Sequence, residues 1–539
     1  MSTALKTTFA TLAKSRNEAA TEVLMRGLDS KEPVVFEGCL SALVARRSKP
    51  GHLAVLRRWH ELTPRQLELL RPGRGRMGGA LRAALMDNDQ RLVNNAYEFA
   101  LAFSEFDVLP TLVNIAEQKN FRKAEPALML TGQLVSHLSH LMCGGRDAHE
   151  RRDPNVIARA ALESLERSVE RYRTHKRDGI VEAFVSLAGP HSSLLMQMID
   201  APHHPCYGAV MHALTESESP GIVHLIGDLL HGGDVPASVL GVVSHREDEA
   251  FVNALLSLEL ETPSATLRKN LSRVQSFAFL ERSDEILELE PKQQAAAMRL
   301  LTHSGVDQAH KLLTAETLLT DGALEGRLAA CRLLAGTAGD QANRLVLQAV
   351  QDEHPEVQAA AARQLRDRHI PGAMSKLVEL AKSEHPEVAA AAREGLTEFN
   401  FENFLLRYDG LDEGTRETAG KLAVEIDPEV ETHLRRDLES PSRHARLRAL
   451  EIVELLDLAP KVADALVERL TDNDHLVRSA AAEALRVCTG NDVRDALLAS
   501  LGDRAVSVQR AAQASLAVLG VEAEIAGTQA IVETEEDLP

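Results

Sequence analysis

Apolar and small residues recur along the chain at helical spacing, and from about residue 290 that spacing itself recurs. A nine-residue pattern opens on an apolar residue, carries small residues in its middle and closes on another apolar residue. It reads VQAAAARQL from Val357, VAAAAREGL from Val388, VRSAAAEAL from Val477 and VQRAAQASL from Val508. Weaker copies start at Lys292, Glu325, Thr415 and Ala445, so successive starts lie 27 to 33 residues apart. Positions one, five and nine fall on one face of a helix and predict a buried stripe, while the alanines let a neighbouring helix come close. Ahead of the nonamer stands a turn: DEHPE at 352–356, SEHPE at 383–387, TDND at 471–474 and GDR at 502–504. Asp, Asn, Ser and Pro there supply helix caps and turn geometry. Another apolar-periodic helix precedes the turn, as at 373–381 and 462–470. Each unit is thus two antiparallel helices that cannot bury both faces alone, and stacking is obligatory. The predicted fold is all-α, an α-solenoid of stacked antiparallel helix pairs.

The run LVERLTDNDHLVRSAAAEAL over 466–485 resembles a HEAT repeat, of the short variety found in phycobilin lyases. That resemblance implies a superhelix whose second helices line a concave binding surface. It also implies an Asp in the turn and an Arg six residues later, bonding between neighbours as a ladder. Asp472 and Arg478 keep that spacing, whereas Asp352 and Asp503 face Gln358 and Gln509, and Arg416 and Arg446 face Gly410 and Ser440. The ladder is therefore expected at one unit only.

Upstream, looser copies start at Val35, Leu92, Glu125 and Ile157, and Asp87-Asn-Asp89 and Asp153-Pro154 stand at turn positions. Residues 1–164 are expected to be divergent HEAT-like repeats, with 50–80 as a longer connection that ends in a Gly/Arg loop near 71–82. Residues 165–290 read as divergent, His-rich helical hairpins, or alternatively as a separate non-repeat domain. Regular repeats fill 291–520, and 521–539 reads as an acidic flexible tail. The opening MSTALKTTFATLAKSRNEAA reads as a first amphipathic helix rather than a leader peptide.

Composition supports this picture and divides it. Of 539 residues only 18 are aromatic, so the core must be built from Ala, Leu and Val. The formal charge of −19 is an average of unlike parts: residues 1–180 carry +7 and residues 181–539 carry −26. A basic surface for nucleic acid is therefore confined to the N-terminal third. Five scattered cysteines suit a reducing compartment, and a cytoplasmic location is expected. No apolar run reaches the roughly 18 residues of a membrane span.

Candidate chemistry is sparse. GRGRMG at 73–78 has the G-x-G-x-x-G spelling, but a helical segment precedes it where a dinucleotide site needs a strand. Its arginines suggest an anion site instead: Arg71, Arg74, Arg76 and Arg82 crowd a loop ahead of a helix N-terminus. Arg146, Arg151 and Arg152 extend that set from the basic stretch 146–177, where Glu163, Glu166 and Glu170 are placed to pair locally with Arg167 and Arg171. Eleven of 21 histidines lie between His137 and His245, including His137, His140 and His203, His204 beside Cys143 and Cys206. Such spacing can hold zinc. Yet His204-Pro205 matches the turn pairs His354-Pro355 and His385-Pro386, so no metal or cofactor is expected. Cys143, beside Gly144-Gly145-Arg146, is the one thiol whose context could lower its pKa.

No catalytic set emerges. The expected function is a non-enzymatic scaffold or adaptor binding a protein partner along the concave face, through exposed second-helix positions such as Gln358, Arg363, Arg393, Arg478 and Glu483. Two alternatives stay open. One is a lyase or chaperone-like factor, as the likeness to phycobilin lyases implies. The other is nucleic-acid binding through the basic N-terminal third, by similarity to HEAT-like DNA glycosylases.

Overall fold

The computed structural model describes residues 3–119, 121–147 and 152–521; every regular element among them is an α- or 3-10 helix. Arg151 and the acidic tail from residue 522 lie outside the described residues. The chain forms two compact units, Met1–Ala329 and Ala330–Pro539.

In the second unit helices alternate in pairs: Asp340–Ala349 with Pro355–Leu365, Ala373–Leu380 with Pro386–Gly395, Phe401–Arg407 with Glu413–Ile426, Val430–Leu438 with Arg443–Leu455, Ala463–Arg469 with His475–Ala484, and Asn491–Ser500 with Val506–Val518. The expected stripe is present. Val357, Ala361 and Leu365 are buried, as are Val388, Ala392 and Leu396, then Val477, Ala481 and Leu485, then Val508, Ala512 and Leu516. Each Val or Leu so buried contributes about 1.5–3 kcal/mol. Second helices pack on one another across repeats, Pro355–Leu365 on Pro386–Gly395 and His475–Ala484 on Val506–Val518. The alanine seams make that approach possible. Where the nonamer is weakest, at Thr415, aromatic residues take over: Phe401, Phe404 and Tyr408 are buried there. Gly420 makes room for them, since a Cβ on it would stand 2.9 Å from Phe404 Cζ.

The turns behave as their residues require. Asp474 accepts from the Leu476 N–H at 2.8 Å, and Asp352 from the His354 N–H at 2.9 Å ahead of Pro355 at the first helical turn. In the first unit Asp89 and Asp153 cap Gln90–Ala102 and Pro154–Glu170.

The ladder is longer than the spacing suggested, because its pairs join different repeats. Arg478 Nη1 donates to the Asp472 carbonyl of its own turn at 2.8 Å. Its Nε and Nη2 then grip Asp503 of the following turn at 2.8 and 2.9 Å. Arg446 does the same one repeat earlier, donating to the Ser440 carbonyl at 2.8 Å and pairing with Asp472 at 2.9 Å. Gln358 and Gln509 keep only the first half of the arrangement, each donating to the carbonyl six residues back at 2.6 Å. The single rung expected at Asp472 and Arg478 is thus corrected to a continuous Arg446–Asp472, Arg478–Asp503 series.

A second kind of crosslink runs through both units. Polar side chains reach back 31 to 40 residues to carbonyls at the ends of earlier helices. Asn95 Nδ2 donates to Leu56 O at 2.9 Å, Lys123 Nζ to Leu85 O at 3.1 Å, Arg246 Nη1 to Leu214 O at 2.8 Å, Asn270 Nδ2 to Leu230 O at 3.0 Å and Arg469 Nη1 to Leu438 O at 2.9 Å. The last carbonyls of a helix have no partner within it, so these side chains stand where water cannot.

The stretch 50–80, expected as a connection, is largely helical: Lys49–Arg57 buries Val55 and Leu56, and Pro64–Glu68 starts on a Thr63/Gln66 capping box. Residues 165–290 hold short helices, among them Asp178–Leu187, Tyr207–Glu216, Pro220–His231, Ala237–His245 and Glu249–Leu256. No helix among the described residues is long and apolar enough to cross a membrane.

The Arg478–Asp503 pair is largely dry, its side chains 5% and 14% exposed. Arg478→Ala should cost about 3 kcal/mol, because it strands the Asp503 carboxylate and the Asp472 carbonyl. Arg478→Gln keeps the carbonyl bond and should cost less. Urea unfolding followed through the C-terminal repeats checks this, and equal losses for the two variants would contradict it.

Candidate functional site

The Gly/Arg loop is built from the helix Pro64–Glu68, a 3-10 turn Arg71–Gly73 and the helix Gly78–Met86. A helix, not a strand, precedes the glycines, so the dinucleotide geometry is absent. Gly75 has φ +71° and turns the loop over; its N–H donates to Glu105 Oε1 at 2.8 Å. Glu105 is fully buried, and the preceding Ser104 sits at φ +49°, a backbone region costly for a residue with a side chain. Burial pushes the Glu105 carboxyl up to about 7, with the Gly75 N–H pulling the other way; nearby Asp107 raises it further, and Arg152 and Arg74 lower it.

Above this floor a cleft of about 330 Å³ is lined by Arg71, Arg74, Arg146, His137 and Asp147 with Phe103 and Ser104. The fold thereby joins two basic segments that are far apart in sequence. Arg74 Nη1 lies 2.8 Å from Asp147 Oδ2, and His137 Nε2 lies 3.9 Å from the same oxygen. Arg71 also bonds Glu68 Oε1 at 2.8 Å. Desolvation lowers the His137 pKa; Asp147 opposes this, and Arg74 and His140 reinforce it.

Other arginines of the expected anion set stand elsewhere. Arg152 pairs with Asp107 at 2.9 Å, Arg82 reaches the Asp107 carbonyl at 3.5 Å, and Arg76 is exposed on the loop. The basic stretch does not pair locally as its spacing suggested. Arg171 bonds Glu117 at 2.6 Å, Arg177 bonds Glu125, and Arg167 donates to the Glu163 backbone at 3.0 Å. The first two reach across to preceding helices, which hold the nearer carboxylates.

The expected partner-contact residues divide in the same way. Arg363 is exposed and pairs with Glu394 at 3.1 Å, and Glu483 is exposed. Gln358 and Arg393 are half-buried and bonded to the Asp352 and Ala381 carbonyls. Arg478 is buried in the ladder, which corrects its expected exposure.

Among the described residues no three His, Cys, Asp or Glu groups are placed to hold a metal ion. His204 Nδ1 instead accepts the Cys206 N–H at 3.2 Å, which is turn chemistry. The Cys143 thiol is pushed up by burial and by Asp228 rather than lowered, correcting the one reactive context the spacing offered. Ser104 and Glu105 were not singled out as site residues, and His137 only for its zinc-like spacing; the only trace of the first two is a polar pair inside the apolar run FALAFSEFDVL.

Stacked helix pairs with capped turns, small-residue seams and cross-repeat ladders define a helical-repeat protein. Residues 312–397 match the family model of HEAT repeats, and the same turn-and-stripe unit continues to Val518, so the chain carries HEAT repeats. Among solved structures it is similar to a chain from work on the interaction between cadherin and beta-catenin (14% identity, 93% of this chain and 98% of that one, TM-score 0.36). It is also similar to yeast importin-beta (14% identity, 96% and 80% covered, TM-score 0.26) and to a karyopherin bound to the extreme C-terminus of a protein phosphatase (11% identity, 96% and 76% covered, TM-score 0.24). No curated protein matches the chain.

Glu105 makes stability depend on pH. An unfolded carboxyl titrates near 4.5 and the folded one near 7. The stability linked to its proton is therefore complete below about 4.5 and is lost as pH rises through 7, by about 3 kcal/mol. Glu105→Gln keeps an acceptor for Gly75 without the titration. Calorimetric melting across that range should show the wild type losing ground to the variant as pH rises. Parallel curves would assign the effect to another group.

Proposed function

We propose that this protein is a non-enzymatic scaffold that binds a protein partner along the face made by its second helices, in the cytoplasm. The observation that carries the reading is repetition. In repeat after repeat the second helix buries its Val/Ala/Leu stripe and turns charged residues such as Arg363, Glu394 and Glu483 to solvent. Such a surface is long, rigid and varied, which suits an extended protein ligand better than a small substrate. The first unit carries a separate groove between Ala124–Met142 and Asp178–Leu187, lined by Leu128, exposed Met129, Glu182, Glu216 and Glu218. All five cysteines are free thiols, which supports a reducing setting.

The test uses the full chain as bait, wild type beside the double variant Arg363→Glu, Glu483→Arg. A protein enriched by the wild type and reduced several-fold by the variant is expected. No enriched protein, or enrichment indifferent to every exposed second-helix substitution, would count against the scaffold.

A further inference from the structure

The arginine cleft of the first unit differs from the rest of the basic N-terminal third. Elsewhere in that third several cations are matched across helices: Arg152 by Asp107, Arg171 by Glu117, Arg177 by Glu125 and Arg58 by Asp29. A nucleic-acid track needs a run of unmatched cations that neutralises several phosphates, and these pairs interrupt the basic stretch at Arg152, Arg171 and Arg177. In the cleft, three guanidinium groups and an imidazole line one space of about 330 Å³, with the carboxylate of Asp147 in the lining, Glu68 on Arg71 and buried Glu105 next to the lining residue Ser104. Arg146 is exposed and pairs with no carboxylate among the described residues.

Two further observations point to an oxyanion. Arg74 Nη1 pairs with Asp147 Oδ2 at 2.8 Å and His137 Nε2 stands 3.9 Å from the same oxygen, so two of the cleft's nitrogen groups already face one carboxylate oxygen. The site also has a built floor. Ser104 is held in a left-handed conformation beside buried Glu105, which fixes the Gly75 turn and hence the position of Arg74. A strained residue kept in place by its surroundings is a mark of a functional position.

We propose that the cleft formed by Arg71, Arg74, Arg146 and His137 binds a phosphoryl dianion, carried either by a small phosphate compound or by a phosphorylated side chain of a partner protein. Arginine suits this ligand because its planar fork gives paired, charge-assisted hydrogen bonds to phosphate oxygens. A cleft of this volume holds one phosphoryl group and not a polynucleotide. Only the second source rests on the protein-binding reading; the cleft itself does not.

Calorimetric titration of the full chain distinguishes the cases, with inorganic phosphate, a phosphoserine peptide and the unphosphorylated peptide as probes. Saturable one-to-one binding of inorganic phosphate is expected, weakened about tenfold or more in Arg146→Ala and in Arg71→Ala, each loss matching one charged hydrogen-bonding partner. Both residues are exposed, and an unchanged thermal melt confirms that the variants fold. Tighter binding of the phosphopeptide than of phosphate assigns the ligand to a partner's side chain; phosphate binding alone assigns it to a small compound. The proposal is overturned by no saturable phosphate binding, by binding that both variants retain, or by equal affinity for the unphosphorylated peptide. It is also overturned if duplex DNA binds more tightly than either phosphate probe, with a steep salt dependence. Loss of phosphate binding would leave the capture result for the second-helix face standing, so the two readings fail separately.

Discussion

A helix cannot satisfy its own last carbonyls, and an array of short helices has such an end every dozen residues or so. In this protein many of those ends are packed away from water and need a donor from elsewhere. The donors come from further along the chain: Asn95, Lys123, Arg246, Asn270 and Arg469 each reach the end of an earlier helix. Arg246 shows the constraint most fully. Its guanidinium is buried, donates to the Leu214 and Ser217 carbonyls at 2.8 and 2.7 Å, and is neutralised by Asp248, which in turn caps the helix Glu249–Leu256. One side chain thereby ties three helices. Burying a charge is tolerable on these terms because Asp248 matches it and the two carbonyls it bonds would otherwise be stranded backbone groups.

The ladder of the second unit extends the same logic to the turns. Arg446 and Arg478 each bond a carbonyl of their own turn and a carboxylate of the next, so each links the conformation of one turn to the position of its neighbour. Apolar stripes supply most of the stacking energy but tolerate small slips, since dispersion has little directional preference. Bidentate bonds do not slip. Alanine seams set how close the helices come, and the ladder sets their register. What remains exposed is the other side of each second helix, and that division leaves a surface for recognition without compromising the stack.

The stripe was legible in the sequence because stacking demands the same small and apolar positions in every repeat. Val357, Val388, Val477 and Val508 announce it at a period near 31. The ladder was only half legible. Asp and Arg were sought within one repeat, whereas Arg446 meets Asp472 and Arg478 meets Asp503, each in the next. Lys49–Arg57 was missed because two glycine- and histidine-bearing positions, Gly51 and His52, are buried in it and blur its apolar face. The arginine cleft was visible as two separate basic segments, but nothing in linear spacing shows that Arg74 and Arg146 line one space. Glu105 gave almost no signal, since a buried carboxylate in an apolar run differs from an exposed one only through the fold around it.

Native-state hydrogen exchange on the Arg246→Ala variant tests most directly whether helix ends are held from the following repeats. The account predicts faster amide exchange in Tyr207–Glu216, whose end loses its donor, together with Ala237–His245 and Glu249–Leu256, and no change in His475–Ala484 or Val506–Val518. Faster exchange confined to Ala237–His245, with Tyr207–Glu216 protected as in the wild type, would contradict it.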